Sequence, residues 1–85
     1  MAATQSSTRF TREVASFLAS GPSPEELLRF RPSDQAQHRA RELLQKQSDG
    51  RITSEEQWEL DEFEYAEMLM QLVKATIRAG KVSQP

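Results

Sequence analysis

Apolar residues recur at helical spacing along this chain, and the segment from residue 63 to residue 77 is the most apolar part. Steps of three and four residues define one stripe on a helix, formed by Phe63, Ala66, Met70, Val73 and Ile77. A second group widens it to roughly 220° of the helix circumference, about twice the width typical of a surface helix. This group comprises Tyr65, Met68, Leu69 and Leu72. We therefore expect one side of the helix to join the core and the other to form a contact surface, although the sequence does not say which side does which.

Two shorter helices are predicted near the N-terminus. The first begins near Thr8 or Thr11, whose hydroxyl can cap it, and ends at Gly21. Its apolar stripe is Phe10, Val14, Phe17 and Leu18. The second begins at Ser23-Pro24-Glu25-Glu26, which combines a capping serine, a proline at the first position and a glutamate three residues after the cap. It must be short, because Pro32 disfavours helical geometry at the preceding residue.

A third helix is capped by Ser33 and stops at Ser48-Asp49-Gly50, with apolar positions at Ala36, Ala40, Leu43 and Leu44. A capping box at Thr53 then opens a final helix from Ser54 to about Ala79, roughly 39 Å long. The predicted fold is therefore all-α: a small bundle of three to four helices with a long C-terminal helix. Residues 8–79 are expected to form one domain, residues 1–7 a disordered tail and residues 80–85 a frayed tail.

Composition is consistent with one soluble domain. The 85 residues are 28% charged and 36% hydrophobic, with no cysteine, which favours a cytoplasmic location without a disulfide framework. No apolar run approaches the length of a membrane span, and no secretory signal is recognised. A domain of this size buries only roughly 60–65% of the surface of its unfolded chain, so association would stabilise it.

Charge is unevenly distributed along the chain. Residues 1–51 contain eight Lys/Arg and six Asp/Glu, whereas residues 52–85 contain three and seven. The carboxylates of the last helix are Glu55, Glu56, Glu59, Asp61, Glu62, Glu64 and Glu67. This acidic face complements the positive N-terminal end of the helix dipole and is explained as a solvated surface. The alternative is a charge-mimic face directed at a basic partner.

Candidate chemistry is sparse. The turn at Asp49-Gly50 and Glu56 matches the second half of an EF-hand loop, but Gln45 and Gln47 replace the carboxylates needed at its first and third positions. His38 is the single histidine and has no cysteine or carboxylate pair at metal-ligand spacing. No nucleophile elbow, phosphate-binding glycine loop or separated acid/base pair is present. The sequence thus predicts no enzymatic activity, no catalytic residue, no metal site and no cofactor.

Several short motifs carry a resemblance to a known family. Residues 16–26 read SFLASGPSPEE, residues 30–33 FRPS, residues 50–53 GRIT and residues 59–63 ELDEF. In these motifs the chain resembles a family of short helical bacterial proteins, notably from cyanobacteria, that are often encoded beside a nuclease. The resemblance implies an antitoxin-like or accessory role and brings no catalytic residues. Trp58 and the methionine-rich segment 68–70 depart from the pattern, which leaves the choice of partner open.

The leading functional interpretation is a non-enzymatic protein–protein interaction module. Methionine and aromatic residues are enriched at protein interfaces, so the whole apolar surface from Phe63 to Ile77 is the candidate interface for a protein partner, a homodimer or both. The alternative is a small calcium- or nucleic-acid-binding regulator. Direct nucleic-acid binding is disfavoured, because the arginines are dispersed and the chain is acidic overall.

Overall fold

A computed structural model of the chain describes residues 8–80 and contains four helices. They are α1 (Arg9–Ala19), α2 (Pro24–Arg29), α3 (Asp34–Ser48) and α4 (Ser54–Arg78). The predicted all-α architecture with a long C-terminal helix is therefore confirmed. The predictions for residues 1–7 and 81–85 lie outside the described part of the chain.

Side-chain caps determine where the helices begin. The hydroxyl groups of Thr8, Ser23, Ser33 and Thr53 each accept from a backbone N–H in the first turn of the next helix. Ser23 and Thr53 form complete capping boxes with Glu26 and Glu56. The first helix begins after Thr8, not after Thr11. Because these caps act on neighbouring residues, the sequence pattern located the starts of α2, α3 and α4 and left two candidates for α1.

Helix α4 is one layer of the fold, and the other three helices form a second layer packed against it. The shortest dimension of the molecule is 19 Å, about two helix diameters. The buried cluster between the layers contains Phe10, Val14, Ala36, Ala66 and Met70. Two layers leave the far side of α4 without a covering helix among the described residues.

Four phenylalanine rings join α1, α4 and the end of α2. Phe10 is central: its ring centroid lies 4.6 Å from that of Phe63 and 6.1 Å from that of Phe30. Phe17 stacks on Phe30 at 4.6 Å. These tilted and stacked pairs add to the free energy gained by apolar burial. Phe30 is thus held even though α2 itself contains no fully buried residue.

Two glutamates cap helices other than their own. Glu62 of α4 accepts from the Thr8 backbone N–H at 2.8 Å and from the Thr11 hydroxyl at 3.1 Å. Glu13 of α1 accepts from both the backbone N–H and the hydroxyl of Ser33. Carboxylates at helix N-termini pair unsatisfied N–H groups and complement the helix dipole. These bonds fix α1 on α4 and α3 on α1.

Candidate protein-binding face of the C-terminal helix

The apolar residues of α4 separate into two rows. The inner row is Phe63, Ala66, Met70, Val73 and Ile77. Ala66 and Met70 are buried, with 6% and 2% of their surfaces exposed, and the other three are half-buried. Phe63 packs on the core cluster that includes Ala66 and Met70. The inner row is therefore the core side of α4, and it is already occupied by α1, α2 and α3.

The second row faces away from the core. It includes the remaining apolar residues of the predicted interface together with Trp58, and we call it the outer stripe: Trp58, Tyr65, Met68, Leu69 and Leu72. Their exposed fractions are 48%, 64%, 51%, 40% and 56% in that order. At 100° per residue the centres of the two rows are separated by roughly 120° around the helix. Of the residues predicted to form an interface, only those of the outer stripe remain largely accessible.

The outer stripe has the spacing of a helix-pairing surface. Trp58, Tyr65 and Leu72 are seven residues apart, and Met68 and Leu69 lie between the last two. Repeats of seven with an intermediate apolar position keep one row facing a partner helix over several turns. An isolated exposed leucine needs no explanation, whereas several exposed apolar residues grouped on one side of a helix, as from Tyr65 to Leu72, are characteristic of a contact site.

Leu18 belongs to the predicted apolar stripe of α1 but lies outside the buried cluster. It is 41% exposed and lies seven residues after Thr11, so both residues are on one side of α1. Thr11 contacts Glu62 of α4. Spacing alone cannot separate a core position from an edge position at the end of a helix. Leu44, one of the predicted apolar positions of α3, is likewise 45% exposed.

The acidic face of α4 divides into carboxylates with intramolecular partners and carboxylates without them. Glu59 forms a two-pronged ion pair with Arg39, with N···O distances of 2.8 and 2.9 Å. Glu56 pairs with Lys46, Glu62 caps α1, and Asp61 accepts from Gln57. Three exposed residues have no hydrogen-bond or ion-pair partner within residues 8–80: Glu55, Glu64 and Glu67. Of the carboxylates in the predicted charge-mimic face, these three are the ones without a partner in the described part of the chain.

Electrostatics in the α3–α4 hairpin reflect these pairs. The hydrogen bond from Lys46, with a further bond from the Thr53 backbone, lowers the pKa of Glu56 to about 2. The hydrogen bond to Glu59 is the largest influence on Arg39 and raises its pKa above the ordinary value. Arg39 also holds the pKa of Glu42 below its ordinary range. Each shifted group belongs to an ion pair within α3 or between α3 and α4, and this pairing accounts for the direction of its pKa shift.

Replacing Glu56 by glutamine should change how stability depends on pH. Glu56 has a lowered pKa in the folded state, so its contribution is complete above the ordinary carboxyl pKa and disappears as the pH falls towards about 2. We expect Glu56→Gln to melt below wild type at pH 6, with the difference in melting temperature shrinking steadily towards pH 2. Circular dichroism melts at several pH values measure this. A constant difference across the range would contradict the assignment.

The residues of the alternative sites have other partners. Asp49 accepts from Gln45 and Arg51, and Glu56 is paired with Lys46, so the EF-hand-like turn holds its carboxylates in local bonds. No group of three metal-ligating side chains occurs within residues 8–80, and His38 is exposed. An open cleft of about 280 Å³ is lined by Arg31, Arg41 and Lys74 but also by Glu67. Within the described helices, none is long and apolar enough to cross a membrane.

The fold and this face define a class: a small all-α protein whose longest helix packs on one side and exposes an apolar row on the other. Comparison with known proteins adds no family. No protein-family model matches the chain, and no curated protein or solved structure is significantly similar to it. The family resemblance of the sequence motifs therefore stays an expectation.

Proposed function

We propose that this protein is a non-enzymatic interaction module that binds a protein through the outer stripe of α4. The single observation that carries the proposal is the division of α4 into two apolar rows, one buried and one exposed. The inner row is apolar because it packs in the core, where Met70 and Ala66 are buried. Packing within the described residues does not explain the apolar residues of the outer stripe, because α1, α2 and α3 all pack on the other side of α4.

The residue types of the outer stripe support this role. Tryptophan and tyrosine provide large apolar areas with a polar edge, and methionine adapts to irregular surfaces. Each becomes a good anchor when a partner excludes water from it. Helix-in-groove and helix-on-helix recognition both use such a row of apolar positions at helical spacing. The mechanism is occlusion: the exposed face of α4 covers, and is covered by, a surface of its partner.

The finer part of the proposal concerns charge and biological role. Glu55, Glu64 and Glu67 form no ion pair within residues 8–80, and their negative charge favours encounter with a basic surface. We therefore propose an antitoxin-like subunit that acts in the bacterial cytoplasm. Its negative charge would shield the basic substrate groove of a nuclease, a role that agrees with the family resemblance. The pair Glu64→Lys and Glu67→Lys is the direct test, because it should weaken binding to a nuclease while leaving an apolar contact intact.

Photo-crosslinking tests the central proposal. The variant Tyr65→p-benzoylphenylalanine places the probe at the most exposed residue of the outer stripe, 64% exposed, and His38→p-benzoylphenylalanine is the control on the exposed side of α3. Irradiation in the native host should give one adduct of defined mass from position 65 and none from position 38. Adding Leu69→Glu should abolish the adduct. Failure of position 65 to form any adduct, or identical adducts from both positions, would refute the proposed function.

A further inference from the structure

We infer that the occupant of the outer stripe is a second copy of this chain, bound so that the two α4 helices run antiparallel about a two-fold axis near Met68 and Leu69. This inference rests on the proposed function and names its partner. A two-fold dimer uses the same patch on both subunits, so the patch must be complementary to itself. The outer stripe meets this condition in residue size, and its one charged residue, Asp61, faces no like charge when the helices run antiparallel.

Residue size along the outer stripe decreases towards the C-terminus. The first half carries Trp58 and Tyr65, and the row continues after Leu72 with small exposed residues at Ala75, Thr76 and Ala79. In an antiparallel pair with its axis near residues 68 and 69, the bulky half of one copy faces the small half of the other. A parallel pair would instead place Trp58 against Trp58 and leave the alanines facing each other across a gap.

Charge gives the same answer. Among the charged residues of α4, Asp61 alone lies within the angular range of the outer stripe. A parallel, in-register pair would bring Asp61, which lies within the angular range of the outer stripe, against its own copy. Like charges at such close range are destabilising. An antiparallel pair with its axis near residues 68 and 69 places Asp61 opposite the uncharged segment around Thr76 and also aligns the helix dipoles favourably. Lys74 takes no part in this contact, because it donates to the Phe30 carbonyl on the core side of α4.

Interface size sets the expected strength of the dimer. Because each copy contributes one helix, the buried area should lie at the lower end of the range for specific interfaces, roughly 1,200 Å² in total. Exposed Leu18 on α1 lies on the side that contacts α4 and can add to the edge of the contact. We therefore expect dissociation in the micromolar range, where a single polar substitution separates the copies.

Sedimentation equilibrium of the purified full chain over a wide concentration range tests the dimer. Wild type should approach twice the 9.7 kDa of the single chain. Leu72→Glu should raise the dissociation constant at least about 30-fold, because a carboxylate would be desolvated in each half of the contact. Leu44→Glu is the matched control, with 45% exposure on α3, and should leave the constant within about twofold of wild type. Circular dichroism verifies that both variants are folded.

Thiol crosslinking tests the orientation, since the natural chain contains no cysteine. Met68→Cys lies near the proposed axis and should be joined to its own copy by a short bis-maleimide. Trp58→Cys should not, because an axis between residues 65 and 72 separates the two copies of position 58 by at least about 21 Å along the helices. Crosslinking of both variants would establish a parallel, in-register pair, and crosslinking of Trp58→Cys alone would place the axis near residue 58; either result would overturn the inference.

The two proposals fail in different ways. A wild-type chain that sediments as a monomer at all concentrations, but still forms an adduct of different mass from position 65 in cells, would overturn the dimer and leave the interaction module standing. A monomer with no adduct would overturn both. A dimer that is insensitive to Leu72→Glu would place self-association on another face and refute this assignment of the outer stripe.

Discussion

Met70→Glu is expected to unfold the protein. Met70 is 2% exposed and belongs to the core cluster between the helix layers. A carboxylate there would have to stay charged without water or change to its neutral form, and either outcome costs several kcal/mol. A domain of this size has only about 4–13 kcal/mol of stability in total. Far-UV circular dichroism at 25 °C should show a large loss of helical signal and no cooperative melt.

Leu72→Glu is the matched control for this prediction. It lies two residues further along the same helix, introduces the same side chain and is 56% exposed. We expect it to keep the helical signal and a cooperative melt at low protein concentration, where the dimer contributes little. Equal stability of the two variants, or a reversal of their order, would contradict the assignment of the inner row and the outer stripe.

The contrast between these variants marks the limit of what the sequence could predict. Helix starts and ends were predictable because a cap such as Ser23 or Thr53 acts on N–H groups within three residues of itself. Gly50, at φ 72° between α3 and α4, likewise ends a helix by a local preference. Two apolar rows on α4 were also visible from periodicity. Which row is buried depends on where the other helices pack, and this is not a local property.

The sequence pattern also could not show which carboxylates of α4 have partners within the fold. The sequence grouped Glu62 with the solvated acidic face of α4, but in the fold it caps α1 from a distance of 54 residues along the chain. Glu59 is held by Arg39 across 20 residues. Nothing in the spacing distinguishes them from Glu64, which has no partner within residues 8–80. Only tertiary packing separates structural carboxylates from those available to a partner.

Phe10→Ala should have the second largest effect. The ring is 2% exposed and contacts the rings of Phe63 and Phe30, so its removal leaves a cavity where three helices meet. Loss of a buried phenylalanine costs about 3–5 kcal/mol, which is a large part of the stability available to a small domain. Urea denaturation followed by circular dichroism should show this decrease in the free energy of unfolding.

Leu18→Ala provides the comparison within the same helix. Leu18 has a place in the predicted apolar stripe of α1 but is 41% exposed, so we expect its truncation to cost less than about 1 kcal/mol. A ratio of three or more between the two losses would show that Phe10 organises the core while Leu18 remains at its edge. If both truncations cost the same, Phe10 cannot be the residue that joins α1 and the end of α2 to α4, because removing it would then leave those contacts intact.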